Sequence, residues 1–350
     1  MAKPYPRLLL LLAGRCLKIV PENSLVKGST PVGTGAYMLV SKGGNNFVLS
    51  KFREYRSKIN SNINEVYFKK MEKGEAVVAF KNHLVDDLFE YELTENESSA
   101  LIGNKARIPL LAITYIGMNV KLAPFNNKNF RIAIQYVADK DGMFEKSFKN
   151  ELKLYGLIPK GLAGSVRSDF PYPYSLKRAK EFLSKSMIKI PIKIDFWIRE
   201  QDYNELFVND FSIQMKKIGL ILNVLRKPDK EFYNAYYKRK QQMFITPLYV
   251  EYPEASHILN CFLSNNSDND VLLSSAEVDK KLEELSFETN KLMRAKQYSD
   301  IESKILEEAV IIPLYQRVAW YIYNKNIDGV HLPTLGSINM QISNYYKRDN

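Results

Sequence analysis

The stretch "IPIKIDFWIREQDYNELFVNDFSIQMKKIGLILNVLRKPDKEFYNAYYKRKQQMFITPLYV", residues 190–250, changes its hydrophobic period several times. Polar and apolar residues alternate at its start, which is typical of a strand with one buried face. An amphipathic helical spacing follows and stops at Gly219. The pattern predicts a strand, a helix, a strand, a short aromatic helix and a strand, over 190–198, 206–215, 220–226, 231–237 and 242–250. This order of elements predicts an α/β fold.

The flanking sequence continues the mixed pattern. Further strands are predicted at 37–40, 47–52, 64–71 and 110–120, with two more within 310–330. Further helices are predicted on both sides of a short strand in 74–101, in 123–148, after Ser175, and over 277–310 with a break near Arg294. The run "LLAITYIGMNV" is apolar throughout, which suits a strand buried on both faces.

Length and composition indicate a soluble globular protein of two domains. The chain has 350 residues, of which 45% are hydrophobic and 25% are charged. Its net charge of +11 would suit a nucleic acid or an anionic membrane surface. The basic residues are spread through the chain, however, and the densest run, "YYKRKQQ" (236–242), also fits a surface turn. The sequence therefore predicts no nucleic-acid partner.

No pattern in the sequence points to catalysis, a metal or a cofactor. Cys16 and Cys261 are far apart, and the three histidines are equally scattered. The triplet "GTG" (33–35) lacks the lysine and the helix of a phosphate-binding loop, because a strand follows it. We therefore expect a protein that is not an enzyme, with no metal site and no cofactor.

The segment "PLYVEYPEASHILNCFL", residues 247–263, is the one candidate for a ligand site from residue pattern alone. Glu251 and Glu254 follow a predicted strand and lie beside Tyr249 and Tyr252. A carboxylate at the carboxyl end of a strand can hold a ligand ammonium through a charge-assisted hydrogen bond. The alternative is a capping or surface acid, and the pattern leaves both interpretations open.

The opening stretch "KPYPRLLLLLAGRC", residues 3–16, has two interpretations of its own. It is either an export signal or buried core near the first methionine. The apolar run from Leu8 to Ala13 is short for a signal peptide, and Arg15 directly before Cys16 does not fit a lipoprotein processing site.

Six segments occur in order from about residue 17 to 332. They are "PVGTGAYMLV", "YIGMNVKLAPFNNKNFRIAIQYVADKDGM", "GLIPKGLAG", "YPYSLKRAKEFLSKS", "FSIQMKKIGLILNVLRKPDKEFYNAYYKRKQQMFITPLYVEYPEA" and "IIPLYQRVAWYIYNKNIDGV". Through these segments together, the chain resembles the oligopeptide- and dipeptide-type extracellular solute-binding proteins of bacterial ABC importers. Ala36 stands where the family's GTG motif usually has proline, and Asn127 stands where an acidic residue is usual.

The resemblance implies an α/β, two-lobed periplasmic-binding-protein (Venus-flytrap) fold. Residues 1–121 with 311–350 would form a partial lobe one, and residues 122–310 would form lobe two. The protein would be the substrate-binding component of an ABC importer, in the periplasm or cell envelope. It would capture a peptide by hinge closure and pass it to permease and ATPase subunits.

The resemblance also implies a site. In the family's peptide-binding members, an aspartate of the "ADYPDP" motif holds the ligand's α-ammonium, and Glu251 stands at that position. Leu248 replaces the motif's tryptophan and Pro247 its glycine, so the wall of the site differs. The candidate ligand-binding residues are Glu251, Tyr249, Leu248, Tyr115 and Asn119. The alternatives are a non-peptide solute and a remnant protein that acts only through interactions.

Finally, the resemblance implies that the N-terminal part of lobe one is missing. The leucine run then corresponds to core of the first lobe. A split gene with a separately encoded N-terminal fragment as partner, a decayed relic, and a chain shortened in the laboratory remain as explanations. In each case we expect open sheet edges and uncovered apolar surface.

Overall fold

The computed structural model describes residues 6–12, 14, 19–20, 33–44, 46–91, 93–332, 334–336 and 340–349. In chain order, the helices are α1 (Leu8–Leu12), α2 (Lys73–Lys81), α3 (Glu95–Ser99), α4 (Lys128–Val137), α5 (Lys140–Ser147), α6 (Leu176–Ser186), α7 (Glu205–Lys216), α8 (Asp229–Tyr237), α9 (Ser256–Asn260), α10 (Ala276–Leu285) and α11 (Lys291–Glu307). The strands are β1 (Tyr37–Gly43), β2 (Asn46–Lys51), β3 (Glu65–Lys69), β4 (Asp87–Tyr91), β5 (Asn104–Met118), β6 (Leu152–Lys153), β7 (Ile192–Arg199), β8 (Leu220–Lys227), β9 (Met243–Tyr249), β10 (Ile311–Tyr323), β11 (Ile327–Asp328) and β12 (Tyr346–Lys347).

The chain divides into two compact units. The central unit comprises Leu111–Arg317 together with the segment that ends at Arg7. The flanking unit comprises Leu8–Leu110 and Val318–Asn350. Two of the positions where the chain passes between the units lie within long strands, one in β5 and one in β10.

The central unit is built on a mixed sheet in the order β10–β5–β9–β7–β8, with β6 paired to β10. Strand β7 runs parallel to both β8 and β9, whereas β9 runs antiparallel to β5. The strand–helix–strand–helix–strand unit predicted from residues 190–250 is therefore confirmed. Its parallel strands are joined by α7 and α8, as parallel pairing requires a crossover connection.

Side-chain alternation in β7 explains how this sheet and α7 pack. Ile194, Phe196 and Ile198 are buried, while their neighbours along the strand are more exposed. Phe196 meets Phe211 of α7 edge to face, with ring centroids 5.8 Å apart. The amide of Phe207 donates to the side chain of Asn204, which caps the start of α7.

The flanking unit has its own small hydrophobic core. Strand β4 pairs antiparallel with the last residues of β10, and α2 packs beside β4. The core residues share near-complete burial and come from several elements: Ala76, Phe80, Leu88, Leu93, Leu101 and Ile322. At the start of β4, the Tyr321 hydroxyl donates to Asp87 Oδ2 over 2.9 Å.

A second sheet in the flanking unit, β1–β2–β3, is antiparallel throughout. The predicted hairpin and third strand are confirmed, and Gly44 at the hairpin turn adopts a φ of +54°. No residue of these three strands is buried.

The predicted burial of the leucine run is wrong. Leu8–Leu12 form a helix of five residues in which none is buried, and Leu9 is 80% exposed. Five consecutive leucines point in every direction around a helix, so one neighbouring element cannot cover them all. The buried residue is instead Arg7, whose Nη1 donates to the Tyr298 hydroxyl over 3.1 Å. Cys16 lies outside the described residues.

Two helix boundaries also differ from expectation. The helical region 277–310 breaks between α10 and α11, before the predicted position at Arg294, because Asn290 caps α11 by accepting from the amides of Leu292 and Met293. The predicted helix in 123–148 is two helices, α4 and α5. Asp139 caps the second of these by accepting from the amide of Gly142 over 3.0 Å.

Candidate functional site

The carboxyl end of β9 carries three of the five candidate residues. Leu248 and Tyr249 are the last residues of the strand, and they pair with Ile113 and Ala112 of β5. Glu251 follows two residues later in a bend and is half-buried. Tyr249 is 45% exposed, so its ring is open to a ligand. A carboxylate, an aromatic ring and an aliphatic side chain therefore share one end of the sheet.

Arg317 adds a positive charge to this end of β9. Its Nη1 donates to the Tyr249 hydroxyl, and its guanidinium carbon lies 5.5 Å from the centre of the Tyr249 ring. Arg317 was not among the residues predicted from the sequence. The signal was the alternation in "IIPLYQRV", where Tyr315 and Arg317 occupy the less buried face of β10. We call Leu248, Tyr249, Glu251 and Arg317 the β9 patch.

Glu254, the second acid of the segment, has an internal role. It is buried and accepts a hydrogen bond from the Tyr298 hydroxyl. Arg294 Nε lies 3.5 Å from the same carboxylate. Of the two candidate carboxylates in this segment, Glu254 is buried inside the central unit and Glu251 lies at its surface.

Tyr115 lies on β5 but its side chain is buried. Its hydroxyl donates to Asp270 Oδ2 over 3.1 Å, and Arg239 Nη1 lies 3.1 Å from the other oxygen. Burial raises the pKa of Asp270 in spite of these donors. The contacts of Tyr115 thus belong to a buried polar network in the central unit.

Asn119 lies at the other end of β9. The backbone N–H of Asn119 donates to the backbone carbonyl of Gln242, which directly precedes β9. Its side chain donates to the Arg239 carbonyl and accepts from the Lys121 amide, over 3.1 and 3.0 Å. The structure therefore places Leu248, Tyr249 and Glu251 together, and it gives Tyr115 and Asn119 contacts within the protein.

Replacing Tyr115 by phenylalanine should separate a structural role from a ligand-binding role. The change removes one hydrogen bond to buried Asp270, so we expect the free energy of unfolding to fall by about 1.5 kcal/mol. Urea denaturation measures this loss, with Tyr237→Phe at an exposed position as the control. A variant of unchanged stability that loses ligand affinity would instead place Tyr115 at the ligand.

The described residues contain neither a cluster of metal ligands nor a membrane-spanning helix. In that part of the chain, no three side chains of His, Cys, Asp or Glu come together as metal ligands do. No described helix combines the length and apolar character that a membrane span requires.

Comparisons with known proteins give a consistent result. The model of "Bacterial extracellular solute-binding proteins, family 5 Middle" matches residues 1–270. The periplasmic oligopeptide-binding protein OppA of Salmonella typhimurium is 22% identical over 347 residues, which cover 91% of this chain and 62% of OppA. The chain thus spans less than two thirds of that relative.

Solved structures show the same fold. DppA of Helicobacter pylori, in complex with the peptide STSA, superposes with a TM-score of 0.86 at 17% identity, over 99% of this chain and 71% of DppA. AgaA of A. tumefaciens R10, in complex with agropinic acid, superposes with a TM-score of 0.85 at 18% identity, over 99% of this chain and 75% of AgaA. These likenesses confirm the α/β fold of the two-lobed periplasmic binding proteins that the sequence predicted.

Proposed function

Because this chain belongs to the bacterial extracellular solute-binding proteins of family 5, we propose that it is the substrate-binding component of an ABC importer that captures peptides. Its partners would be the permease and ATPase subunits of that importer, and it would work in the periplasm or cell envelope. Capture would proceed by hinge closure of the two lobes, without bond chemistry. The peptide STSA in DppA supports a peptide as ligand.

The observation that carries this proposal is the position of Glu251. The residue lies just beyond the carboxyl end of β9. In the sequence it stands at the position of the aspartate that, as the family resemblance implies, would hold the ligand's ammonium. Ligands of open α/β sheets bind at the carboxyl ends of the strands. The neighbouring ring of Tyr249 and the guanidinium of Arg317 add an aromatic surface and a positive charge for the rest of a zwitterionic ligand.

A thermal-shift assay with a mixed library of short peptides tests the function directly. A bound peptide at a hundredfold excess over its Kd should stabilise the protein by about 2.7 kcal/mol. Small-angle scattering of the stabilised sample should show a smaller radius of gyration, as hinge closure predicts. A melting temperature that no peptide pool changes would contradict peptide capture.

Replacing Glu251 by glutamine should weaken the binding of a peptide with a free amino terminus by about 10- to 100-fold. The neutral amide keeps the size of the side chain but loses the charge-assisted hydrogen bond to the ammonium. Isothermal titration calorimetry measures the two Kd values, with Glu283→Gln at an exposed position of α10 as control. The N-acetylated peptide should bind the wild type and Glu251→Gln equally.

Two results would contradict the ammonium-anchor role. One is a Kd for the free peptide that Glu251→Gln changes by less than about twofold. The other is an acetylated peptide that binds the wild type as tightly as the free peptide does.

The second candidate is a non-peptide solute. AgaA holds agropinic acid on the same fold, and Pro247 and Leu248 replace the glycine and tryptophan of the peptide-binding motif. A thermal shift with small carboxylated solutes and none with peptides would favour this candidate. A protein that no solute stabilises would instead fit a remnant acting through interactions.

A further inference from the structure

The loop between α6 and β7 projects apolar side chains into solvent. Met187, directly after α6, is 88% exposed, and Ile190 is 51% exposed. Met187 adopts a φ of +57°, a left-handed conformation in which helix ends usually place glycine. A long apolar side chain therefore stands where the backbone favours glycine, and backbone outliers of this kind are concentrated at functional sites.

The start of β8 lies beside this loop. Strands β7 and β8 run parallel, and Lys193 pairs with Ile221 in register. A Cβ added to Gly219, just before β8, would lie 3.0 Å from Ile190 Cδ1. Ile221 is 41% exposed, so it extends the apolar surface of the loop. We call Met187, Ile190 and Ile221 the apolar tip.

Lysines surround the apolar tip. The two segments that carry the tip, 184–193 and 216–221, contain five lysines and no aspartate or glutamate. All five are exposed: Lys185, Lys189, Lys193, Lys216 and Lys217. The tip is therefore an apolar centre with a basic rim.

The carboxylates beside these segments do not balance the lysines. Glu181 Oε1 lies 2.7 Å from Lys185 Nζ, one turn earlier on α6. Asp195 of β7 accepts a hydrogen bond from the side chain of Asn223 over 2.8 Å. Two carboxylates thus stand beside five lysines, which leaves this corner of the central unit positive.

The apolar tip and the β9 patch lie at opposite ends of the same sheet. Strand β9 runs parallel to β7, and Met243 at its start pairs with Phe196. The tip lies at the start of β7, whereas Tyr249 is the last residue of β9. Counted along the paired strands, the separation is about 30 Å. A partner at the tip therefore leaves the β9 patch accessible.

The chemistry of the tip fits the surface of a bilayer that contains anionic lipids. Such a surface attracts lysines, and each lysine close to it tightens binding about fivefold. Apolar side chains can enter the boundary between the headgroups and the acyl chains. The long lysine side chains allow their ammonium groups to stay among the phosphates while the tip is inserted.

Other partners fit the tip less well. A second copy of the chain would bring two basic rims together, and like charges across an interface oppose association. A folded protein partner is held by packing in shaped pockets, whereas Met187 projects into solvent. A fluid bilayer accepts a projecting apolar side chain without a matching shape.

We propose that the apolar tip and its lysines dock the central unit on an anionic lipid bilayer. Met187 and Ile190 enter the interface, and the five lysines contact the phosphate groups. This interaction goes beyond solute capture and stands whether or not the β9 patch binds peptides.

Co-sedimentation with lipid vesicles tests the docking. The protein should bind phosphatidylcholine vesicles that contain about one third phosphatidylglycerol, and it should not bind vesicles of phosphatidylcholine alone. Raising the salt concentration from about 0.1 M to about 1 M shortens the Debye length from about 10 Å to about 3 Å. We therefore expect the affinity for the anionic vesicles to fall by at least about tenfold.

Two charge reversals separate the tip from the net charge of the protein. Lys189→Glu changes the basic rim, whereas Lys280→Glu makes the same change on α10, where the side chain is 76% exposed. We expect Lys189→Glu to weaken vesicle binding by at least about fivefold and Lys280→Glu to weaken it by less than about twofold.

Two polar substitutions test the insertion of the tip. Asparagine tolerates the left-handed conformation, so Met187→Asn removes the apolar side chain without new backbone strain. Leu292→Asn, on α11 at a position that is 83% exposed, is the matched control. We expect Met187→Asn to weaken vesicle binding by at least about fivefold and Leu292→Asn by less than about twofold. Melting temperatures without vesicles should equal that of the wild type, because both side chains are exposed.

Four results would overturn the proposal. The first is no binding to the anionic vesicles, which would leave an acidic protein surface as the partner. The second is equal binding to vesicles of phosphatidylcholine alone. The third is equal weakening by Lys189→Glu and Lys280→Glu, because net charge would then account for the binding. The fourth is binding that Met187→Asn leaves unchanged, because the tip would then stay outside the bilayer.

Discussion

Replacing Glu302 by alanine should lower the free energy of unfolding by about 4 kcal/mol. Glu302 lies on α11 and is 1% exposed. Its Oε1 accepts from the amides of Leu157 and Ile158 over 2.5 and 2.9 Å, and its Oε2 lies 3.4 Å from Arg167 Nε. Alanine would leave two buried N–H groups without an acceptor and one guanidinium without its counter-ion.

Urea denaturation of three variants would test the role of Glu302. Glu302→Gln keeps one oxygen acceptor, so we expect it to lose about 1 to 2 kcal/mol. Glu307→Ala, on the same helix but with a side chain 57% exposed, should change stability by less than about 0.5 kcal/mol. Equal midpoints for Glu302→Ala and Glu307→Ala would show that the buried carboxylate does not anchor the 157–158 segment.

Lys140 should make stability depend on pH far more than an exposed lysine does. Its amine is buried at the start of α5, donates to the Leu154 carbonyl, and lies 5.1 and 5.5 Å from the centres of the Tyr155 and Phe170 rings. Burial lowers the pKa of Lys140 from 10.5 to about 7. Asp141 opposes this shift and Lys153 adds to it.

The direction in which the free energy of unfolding changes with pH follows from proton linkage. Between about pH 7 and pH 10.5, the unfolded chain holds a proton on Lys140 that the folded chain does not. The free energy of unfolding therefore rises with pH through this window. From about pH 6 to about pH 10, the contribution of Lys140 should increase by about 4 kcal/mol.

The measurement compares the wild type with Lys140→Met in urea at these two pH values. Other groups titrate in the same range, but both proteins carry them, so their effects cancel in the difference. Lys180→Met, at an exposed position of α6, serves as control and should leave the pH dependence unchanged. A wild type and Lys140→Met whose stabilities change in parallel would show that Lys140 keeps its charge in the folded protein.

Local patterns predicted the elements well because the forces that create them act over a few residues. The alternation in 192–199 marks β7, and the capping residue Ser175 marks the start of α6. The predicted burial of the leucine run was wrong because hydrophobicity indicates only a tendency to be buried. Whether a partner surface covers those side chains depends on the rest of the fold.

In the candidate site as well, residues that are neighbours in sequence could be predicted, whereas contacts between distant segments could not. Glu251 and Tyr249 could be found because the strand, the acid and the aromatic ring are neighbours in sequence. Arg317 was missed because its contact with Tyr249 joins β10 to β9 across β5, and no local pattern reports which strands the sheet brings together. The burial of Tyr115 was missed for a similar reason, since Asp270 is distant in sequence.

By itself, the sequence determined the order of the main strands and helices and the α/β class. Only the tertiary structure decided that Gly156 lies against Glu302, where an added Cβ would meet the carboxylate oxygens. It also decided that Glu254 is internal while Glu251 is at the surface, and that Ile221 lies beside the loop that carries Met187. Backbone preference and periodicity are short-range properties, whereas burial and charge pairing depend on which distant segments the fold brings together.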